Sequence, residues 1–177
     1  TCALPISWCI NSEDDFKKAL PLEMLGESMK RFPSGSGFTI VMLEGMDLLS
    51  PIYIRTLEKL GFSVLDYTAA FLKIIQAYPS LNRYYSHYER NCFLRWIAFM
   101  EICRAPEISG RQFWHLDSDI ILHTSLDQLA ESTRGKTLSL QGCPVCLTVS
   151  EFNWFIQYEQ HLKKLDQNIT GYSAEAF

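Results

Sequence analysis

Short apolar runs alternate with amphipathic stretches along the first third of the chain. The strands that these runs predict are residues 2–11, 38–45 and 62–67. The helices predicted between them are residues 12–32 and 50–61. Ser12 and Ser50 stand where N-caps are expected, and Pro51 and Gly61 suit the first and the terminating position of the second helix. Strands that alternate with helices predict a parallel sheet with right-handed crossovers.

The middle of the chain has a weaker pattern. Residues 69–92 are rich in Tyr and polar side chains and have no clean period, which favours a loop with a helical piece. Residues 93–104 are apolar on nearly all sides and predict a helix buried against the sheet. The run "FWHL", residues 113–116, then supplies a fourth strand, so that the order becomes βαβαβαβ. The elements predicted after it are a helical turn at 125–132, one or two strands in 137–149 and a capped amphipathic helix at 150–165.

Two aspartates, Asp117 and Asp119, follow the fourth strand directly in "FWHLDSDIIL". Asp is almost never buried without a partner, so a positive group is expected between them. In open α/β sheets, ligands bind beyond the carboxyl ends of the strands. Carboxylates two residues apart on an extended chain point the same way and can bind one hard divalent cation, Mg²⁺ or Mn²⁺. Such a cation leaves coordination positions for a substrate diphosphate.

Length and charge limit what the partner of this motif can be. The 177 residues suffice for one domain, residues 1–177, with a substantial core. A net charge of -4 gives no general attraction to nucleic acid or to anionic membranes, so an anionic ligand needs a local cation. No apolar run approaches the roughly 20 residues of a transmembrane helix, and no transmembrane segment is expected.

The six cysteines mostly stand in apolar surroundings, which favours reduced thiols that pack as small hydrophobes, in a cytoplasmic protein. The pair in "CPVC", Cys143 and Cys146, could instead be redox-active or half of a metal site. No second CxxC accompanies it, so packing is the favoured interpretation.

A strand that ends in DxD, after three βα units and a helix that carries Arg95, resembles the GT-A fold of nucleotide-sugar glycosyltransferases. "FLRW" followed by "FWHLDSDIILHTSLDQL" is similar to the core of glycogenin-like and related sugar transferases. The resemblance covers residues 3–165, in the order of elements more than in identity. It implies an α/β, GT-A-like fold with a mainly parallel twisted sheet flanked by helices.

The resemblance also implies a function and a cation site. Asp117 and Asp119 would hold Mn²⁺ or Mg²⁺ on the diphosphate of a UDP- or GDP-sugar, with Ser118 near the ribose. Arg95 would contact the sugar or the phosphates of the donor. The acceptor, a glycan or a protein, and the catalytic base stay unidentified.

Further donor contacts follow from the same resemblance. The end of the first strand would contact the base through Ile10, Asn11 and Ser12. Related families often have an acidic residue three positions before the arginine, where this chain has Cys92. Asn91 lies one helical turn before Arg95 on the same face and is the substitute donor contact.

Each of these residues also has a structural interpretation. Asp117 and Asp119 could cap the following turn, Arg95 could pair with an acidic side chain, and Asn11 and Ser12 could simply start the first helix. His115 and His123 are expected to face away from the metal. Trp154 and Phe155 are expected in the core.

Other functions compete with sugar transfer. A metal-dependent phosphatase of the haloacid dehalogenase type also uses DxD, but on its first strand and with Thr or Val where this chain has Ile121. A nucleotidyltransferase and a non-catalytic nucleotide-sugar-binding domain are the remaining alternatives. Relatives of the glycogenin-like kind take a third metal ligand, commonly a His, from a later segment, whereas His161 here suits a solvated helix face. We therefore expect donor binding with slow hydrolysis, and efficient transfer only with further C-terminal residues or a partner chain.

Overall fold

The computed structural model describes residues 5–9, 20–35, 37–104, 112–139, 146–149 and 151–169. The strands are β1 (Pro5–Cys9), β2 (Phe38–Glu44), β3 (Phe62–Asp66), β4 (Phe113–Leu116), β5 (Leu138–Ser139) and β6 (Cys146–Val149). The helices are α1 (Leu20–Arg31), α2 (Pro51–Lys59), α3 (Thr68–Ala77), α4 (Pro79–Tyr84), α5 (His87–Cys103), α6 (Leu126–Ser132) and α7 (Asn153–Asn168). A short 3₁₀ turn, Met46–Leu48, follows β2.

The first three strands form a parallel sheet in the order β1-β2-β3. Cys9 at the end of β1 lies opposite Glu44 at the end of β2, so the two carboxyl ends finish side by side. Helices cover both faces of this sheet. The predicted mixed α/β fold, with a parallel sheet flanked by helices, is confirmed.

The fourth strand does not extend the parallel ladder. β4 pairs antiparallel with β6, in a second sheet of order β4-β6-β5. β1 and β4 nevertheless lie in contact, and α5 contacts the carboxyl ends of both, through Asn91 at Cys9 and Arg95 at Asp117. The parallel part is therefore shorter than the order βαβαβαβ predicts, because strand direction depends on which strand packs alongside and not on local pattern.

Two hydrophobic clusters lie on opposite faces of both sheets. In β2, Ile40 belongs to the cluster under α1 and α2, and the next residue, Val41, belongs to the cluster under α3, α5 and α7. β4 alternates in the same way, with Trp114 in the first cluster and Phe113 in the second. Since both strands are buried on both faces, their sequences are continuously apolar, as expected for the middle layer of three.

The helix signals in the sequence are confirmed at α2 and fail at α7. The Ser50 side chain accepts a hydrogen bond from the Tyr53 N–H at 3.2 Å, and Pro51 opens α2. Gly61 follows the helix with a φ of 97°, which favours glycine. The cap predicted for the last helix is wrong, because Phe152 stands at the N-cap of α7 and makes no side-chain cap. Ser12 lies outside the described residues.

The loop predicted for residues 69–92 is wrong. This segment contains most of α3, all of α4 and the start of α5. Aromatic and apolar side chains at helical spacing are buried here, including Phe71, Ile75 and Tyr78, whereas Tyr84 and Tyr88 are exposed. α5 begins with a reciprocal capping box between Ser86 and Glu89. Among the described residues, no helix is both long and apolar enough to cross a membrane.

Candidate functional site

The aspartate pair lies in a turn at the carboxyl end of β4. Asp117 follows the strand immediately, and the Ile120 N–H donates back to the Asp117 carbonyl oxygen at 3.4 Å. Asp117 and Ser118 are partly buried, whereas Asp119 is exposed. The position at the strand end is as predicted, but the extended conformation expected for residues 117–119 is wrong. In a turn, side-chain direction no longer alternates as it does along a strand.

Asp117 has two positive or proton-donating partners from the protein itself. Its Oδ1 accepts hydrogen bonds from Arg95 Nη1 at 3.0 Å and from His115 Nε2 at 2.9 Å. His115 is fully buried, with 0% of its side chain exposed, against 26% for Asp117. His115 thus contacts Asp117 itself, and the expectation that it faces away from the metal stays a prediction. Residues two apart along the end of β4 lie on the same face, and this places the imidazole against the carboxylate.

The surroundings of Asp117 keep its carboxyl group ionised. Burial alone would raise its pKa, but the hydrogen bond from His115 and the charge of Arg95 outweigh burial and lower the pKa. Both contacts fall on Oδ1, and within the described part of the chain Oδ2 makes no hydrogen bond. The two protein contacts therefore hold one oxygen of the carboxylate and not the other.

Arg95 reaches this site from α5. Its guanidinium lies over the Trp96 ring, 5.2 Å from the centroid, and 13% of its side chain is exposed. Its Nε is buried and has no hydrogen-bond partner among the described residues. Arg95 therefore pairs with an acidic side chain, as its structural interpretation expected. Its contact with a donor stays a prediction.

The start of α5 is fixed over the carboxyl ends of β1 and β2. Asn91 Nδ2 donates to Glu44 Oε2 at 2.9 Å and lies 3.4 Å from the Cys9 Sγ. Arg90 donates to Glu44 Oε1 at 2.9 Å and to the Asn82 side chain at 2.7 Å. Asn91 is buried and uses its amide on protein partners, which makes it a residue that positions the helix. Its donor contact stays a prediction.

Glu44 is the centre of this cluster and was not singled out by the sequence analysis. It also contacts His87 Nε2 at 2.5 Å. A carboxylate that ends a strand as apolar as "FTIVMLE" was the available signal. Together with the pair of Arg95 and Asp117, the cluster gives α5 one contact at β2 and another at β4.

The remaining predicted residues are distributed as follows. Ile10, Asn11 and Ser12 lie outside the described residues, so their base contacts stay predictions. Phe155 is buried in the core as expected, and Trp154 stacks on Tyr158 at a centroid distance of 5.4 Å.

Two carboxylates, not a closed cage, are available for a cation. Among the described residues, no group of three or more His, Cys, Asp or Glu side chains could hold a metal ion. Asp117 and Asp119 are hard oxygen donors, and this pair suits Mg²⁺ or Mn²⁺, which retain waters and bind substrate phosphates. The donor set therefore fits the expected cation, although cation binding stays a prediction.

The free cysteines in the described part of the chain are Cys9, Cys92 and Cys103. Burial raises the pKa of Cys9 to about 12, and Glu44 beside it adds to the effect. Burial also raises the pKa of Cys103 to about 12. Both are packing thiols at neutral pH, as expected. Cys143 and the side chain of Cys146 lie outside the described part, so the "CPVC" prediction stays open.

Comparison with known proteins finds a solved structure with a similar fold. No protein-family model and no curated protein sequence matches this chain. The solved structure of mouse xyloside xylosyltransferase 1, in its apo form, is similar to it with a TM-score of 0.52 and 15% sequence identity. The similarity covers 74% of this chain and 48% of that one, so the chain spans about half the length of the transferase. At this identity the likeness shows a glycosyltransferase-like fold and no more.

Proposed function

We propose that this chain is a glycosyltransferase domain that moves a sugar from a nucleotide-diphosphate donor to a glycan or protein acceptor. Asp117 and Asp119 would bind Mn²⁺ or Mg²⁺, and this cation would bind the donor diphosphate. The observation that carries the proposal is the position of Asp117 in a turn at the carboxyl end of β4, where it pairs with Arg95 of α5. The fold, which is like that of a xylosyltransferase, supports it.

Each residue of the site has a part that its surroundings support. The low pKa of Asp117 keeps it negative at neutral pH, and the exposed Asp119 is open to solvent and ligands. Two negative groups repel a bare diphosphate. Arg95, fixed by Asp117 and Trp96, places a positive charge beside the pair. When bound, the cation would neutralise the charge that develops on the leaving diphosphate.

Nucleotide binding in the presence and absence of metal tests the proposal. UDP or GDP should raise the melting temperature only with Mn²⁺ or Mg²⁺ present, because binding to the folded state stabilises it. At a nucleotide concentration of 100 times Kd, the stabilisation is about 2.7 kcal/mol. Equal stabilisation in excess EDTA would contradict the role of the metal.

Isosteric variants locate the cation. Asp117→Asn and Asp119→Asn should each lose metal-dependent nucleotide binding and keep the fold, since they remove charge and little volume. Asp47→Asn, at an exposed carboxylate in the 3₁₀ turn, is the matched control and should bind as the wild type does. Wild-type binding by either motif variant would place the cation elsewhere.

Turnover separates an enzyme from a binding domain. Donor hydrolysis and sugar transfer, measured by release of the nucleotide with and without candidate acceptors, should both need the divalent cation. Tight metal-dependent binding without any turnover would instead favour the non-catalytic nucleotide-sugar-binding alternative.

A further inference from the structure

His115 is the most completely buried polar side chain near the motif, and nothing in the proposed reaction uses it. None of its surface is exposed, and its Nε2 lies 2.9 Å from Asp117 Oδ1. Since an ionised carboxylate only accepts hydrogen bonds, the imidazole donates its Nε2–H. The ring is therefore held in the tautomer or charge state that carries a proton on Nε2.

Aromatic rings from α5 fix the imidazole in place. The Trp96 ring meets it edge-on, with centroids 5.0 Å apart and planes at 81°. The Phe99 ring lies 5.1 Å away at 41°. Trp96 is in turn packed against Trp154 of α7. A ring enclosed in this way has little freedom to rotate, so its hydrogen bond has a fixed direction.

A fixed donor on one oxygen orients the whole carboxylate. Arg95 and His115 both bind Oδ1 from the buried side. The two oxygens of a carboxylate point apart from its carbon, so Oδ2 is directed away from these partners. Asp117 is 26% exposed, whereas its partners Arg95 and His115 are 13% and 0% exposed.

We propose that His115 is a positioning residue for the cation site: by holding Oδ1 of Asp117, it aims Oδ2 at a divalent cation. This inference rests on the proposed function. Side chains that orient metal ligands commonly change metal affinity 10–100-fold when they are replaced. His115 would act through Asp117 and touch neither donor nor cation.

A ring-conserving substitution tests the inference. His115→Phe keeps an aromatic ring between Trp96 and Phe99 and removes the Nε2–H. Mn²⁺ binding, measured with the metal alone by electron paramagnetic resonance, should weaken about 10–100-fold. His115→Gln, whose amide can donate to Asp117, should recover most of the affinity. His123→Phe makes the same change at an exposed histidine and should bind Mn²⁺ as the wild type does.

The outcomes separate the two proposals. If Asp117→Asn loses Mn²⁺ binding but His115→Phe does not, the positioning role is overturned and the proposed function stands. If Asp117→Asn binds Mn²⁺ as the wild type does, the cation lies elsewhere, and both the proposed cation site and the positioning role of His115 are overturned. Weak binding in His115→Phe that His115→Gln restores supports the inference, because a purely structural role gives loss of stability without this rescue.

The unaltered protein provides a second measurement if His115→Phe does not fold. In ¹⁵N-histidine-labelled protein, addition of Mg²⁺ should shift the His115 Nε2–H resonance, because the cation withdraws charge from the shared carboxylate. The resonances of the exposed His123 should stay in place. The inference would be overturned if the His115 resonance did not respond to Mg²⁺ at concentrations that support nucleotide binding through Asp117.

Discussion

Arg95 has an observed contact with Asp117 and a proposed contact with the donor, and one substitution can distinguish them. It pairs with Asp117 and lies over Trp96, and both contacts are largely buried. Arg95→Ala should lower the free energy of unfolding by about 2 kcal/mol, because it removes a hydrogen bond to a partly buried, charged carboxylate. Urea unfolding at pH 7 measures this change.

The lysine variant is the matched control for Arg95. Arg95→Lys keeps the positive charge and loses the planar guanidinium, so it should recover part of the stability. If Arg95→Ala unfolds at the wild-type urea concentration and only nucleotide binding weakens, the arginine belongs to the donor site and not to the protein pair.

At the scale of single residues, the sequence predicted positions better than partners. Asp117 at the end of a strand was predictable because Asp is rarely buried, and it directly follows the mainly apolar run "FWHL". Its hydrogen bond to His115 was not predictable, since it depends on where the strand ends and the turn begins, and strand boundaries are weakly encoded. Asn91 was placed correctly on the face of Arg95, but its partners Glu44 and Cys9 come from strands distant in sequence.

The turn between β3 and α3 gives a pH-dependent contribution to stability. Asp66 Oδ1 accepts hydrogen bonds from the Thr68 hydroxyl at 2.6 Å and from the Thr68 N–H at 3.0 Å. The hydroxyl first and the N–H second lower the pKa of Asp66. The stabilisation is therefore present above the unfolded pKa of about 3.9 and is lost as pH falls through the lower folded value.

Substitution of Asp66 should remove this pH dependence. Asp66→Asn should melt below the wild type at pH 7, and the difference should shrink towards pH 2. Thr68→Val, which loses the hydroxyl and keeps the N–H, should show an intermediate effect. Melting temperatures across that pH range check it, and a difference between wild type and Asp66→Asn that is constant with pH would contradict the assignment.

Helix α1 approaches its neighbours closely at one glycine. A Cβ added at Gly26 would lie 2.9 Å from the Leu60 Cβ and 3.1 Å from the Phe62 ring. Gly26→Ala should therefore destabilise the protein by about 1–3 kcal/mol through overpacking, in spite of the gain of about 1 kcal/mol in helix propensity. Gly37→Ala has open space around the added methyl and is the control. Equal unfolding midpoints in urea for the two variants would show that α1 can move aside.

The carboxyl edge of the parallel sheet is held together by Glu44. It joins β2 to Arg90 and Asn91 of α5, and Arg90 extends the network to Asn82 of α4. Glu44→Ala leaves the buried Arg90 without its carboxylate and should cost about 3 kcal/mol. Chemical unfolding measures this cost, with the exposed Glu58→Ala as control. A loss no larger than that of the control would mean that solvent replaces the glutamate.

At the scale of the whole molecule, the hydrophobic pattern of the sequence was enough to predict the layers of the fold but not the pairing of the strands. The apolar strands β2 and β4 were predictable as buried on both faces, and so was the order of the first three βα elements. The antiparallel pairing of β4 with β6 was not predictable, because the sequence "FWHL" gives no signal for the direction of the strand beside it. The helices in residues 69–92 were missed although Phe71, Ile75 and Tyr78 stand at helical spacing, because the exposed tyrosines and polar residues after Tyr78 weaken that period.

The shared Oδ1 of Asp117 also has an evolutionary consequence. A helix residue, Arg95, and a strand residue, His115, serve one oxygen atom, so neither can change freely while the carboxylate is retained. Homologues that keep the aspartate should replace His115 only by side chains able to donate a hydrogen bond. Lineages that lose the aspartate are released from both constraints together, and positions 95, 115 and 117 should then vary as a group.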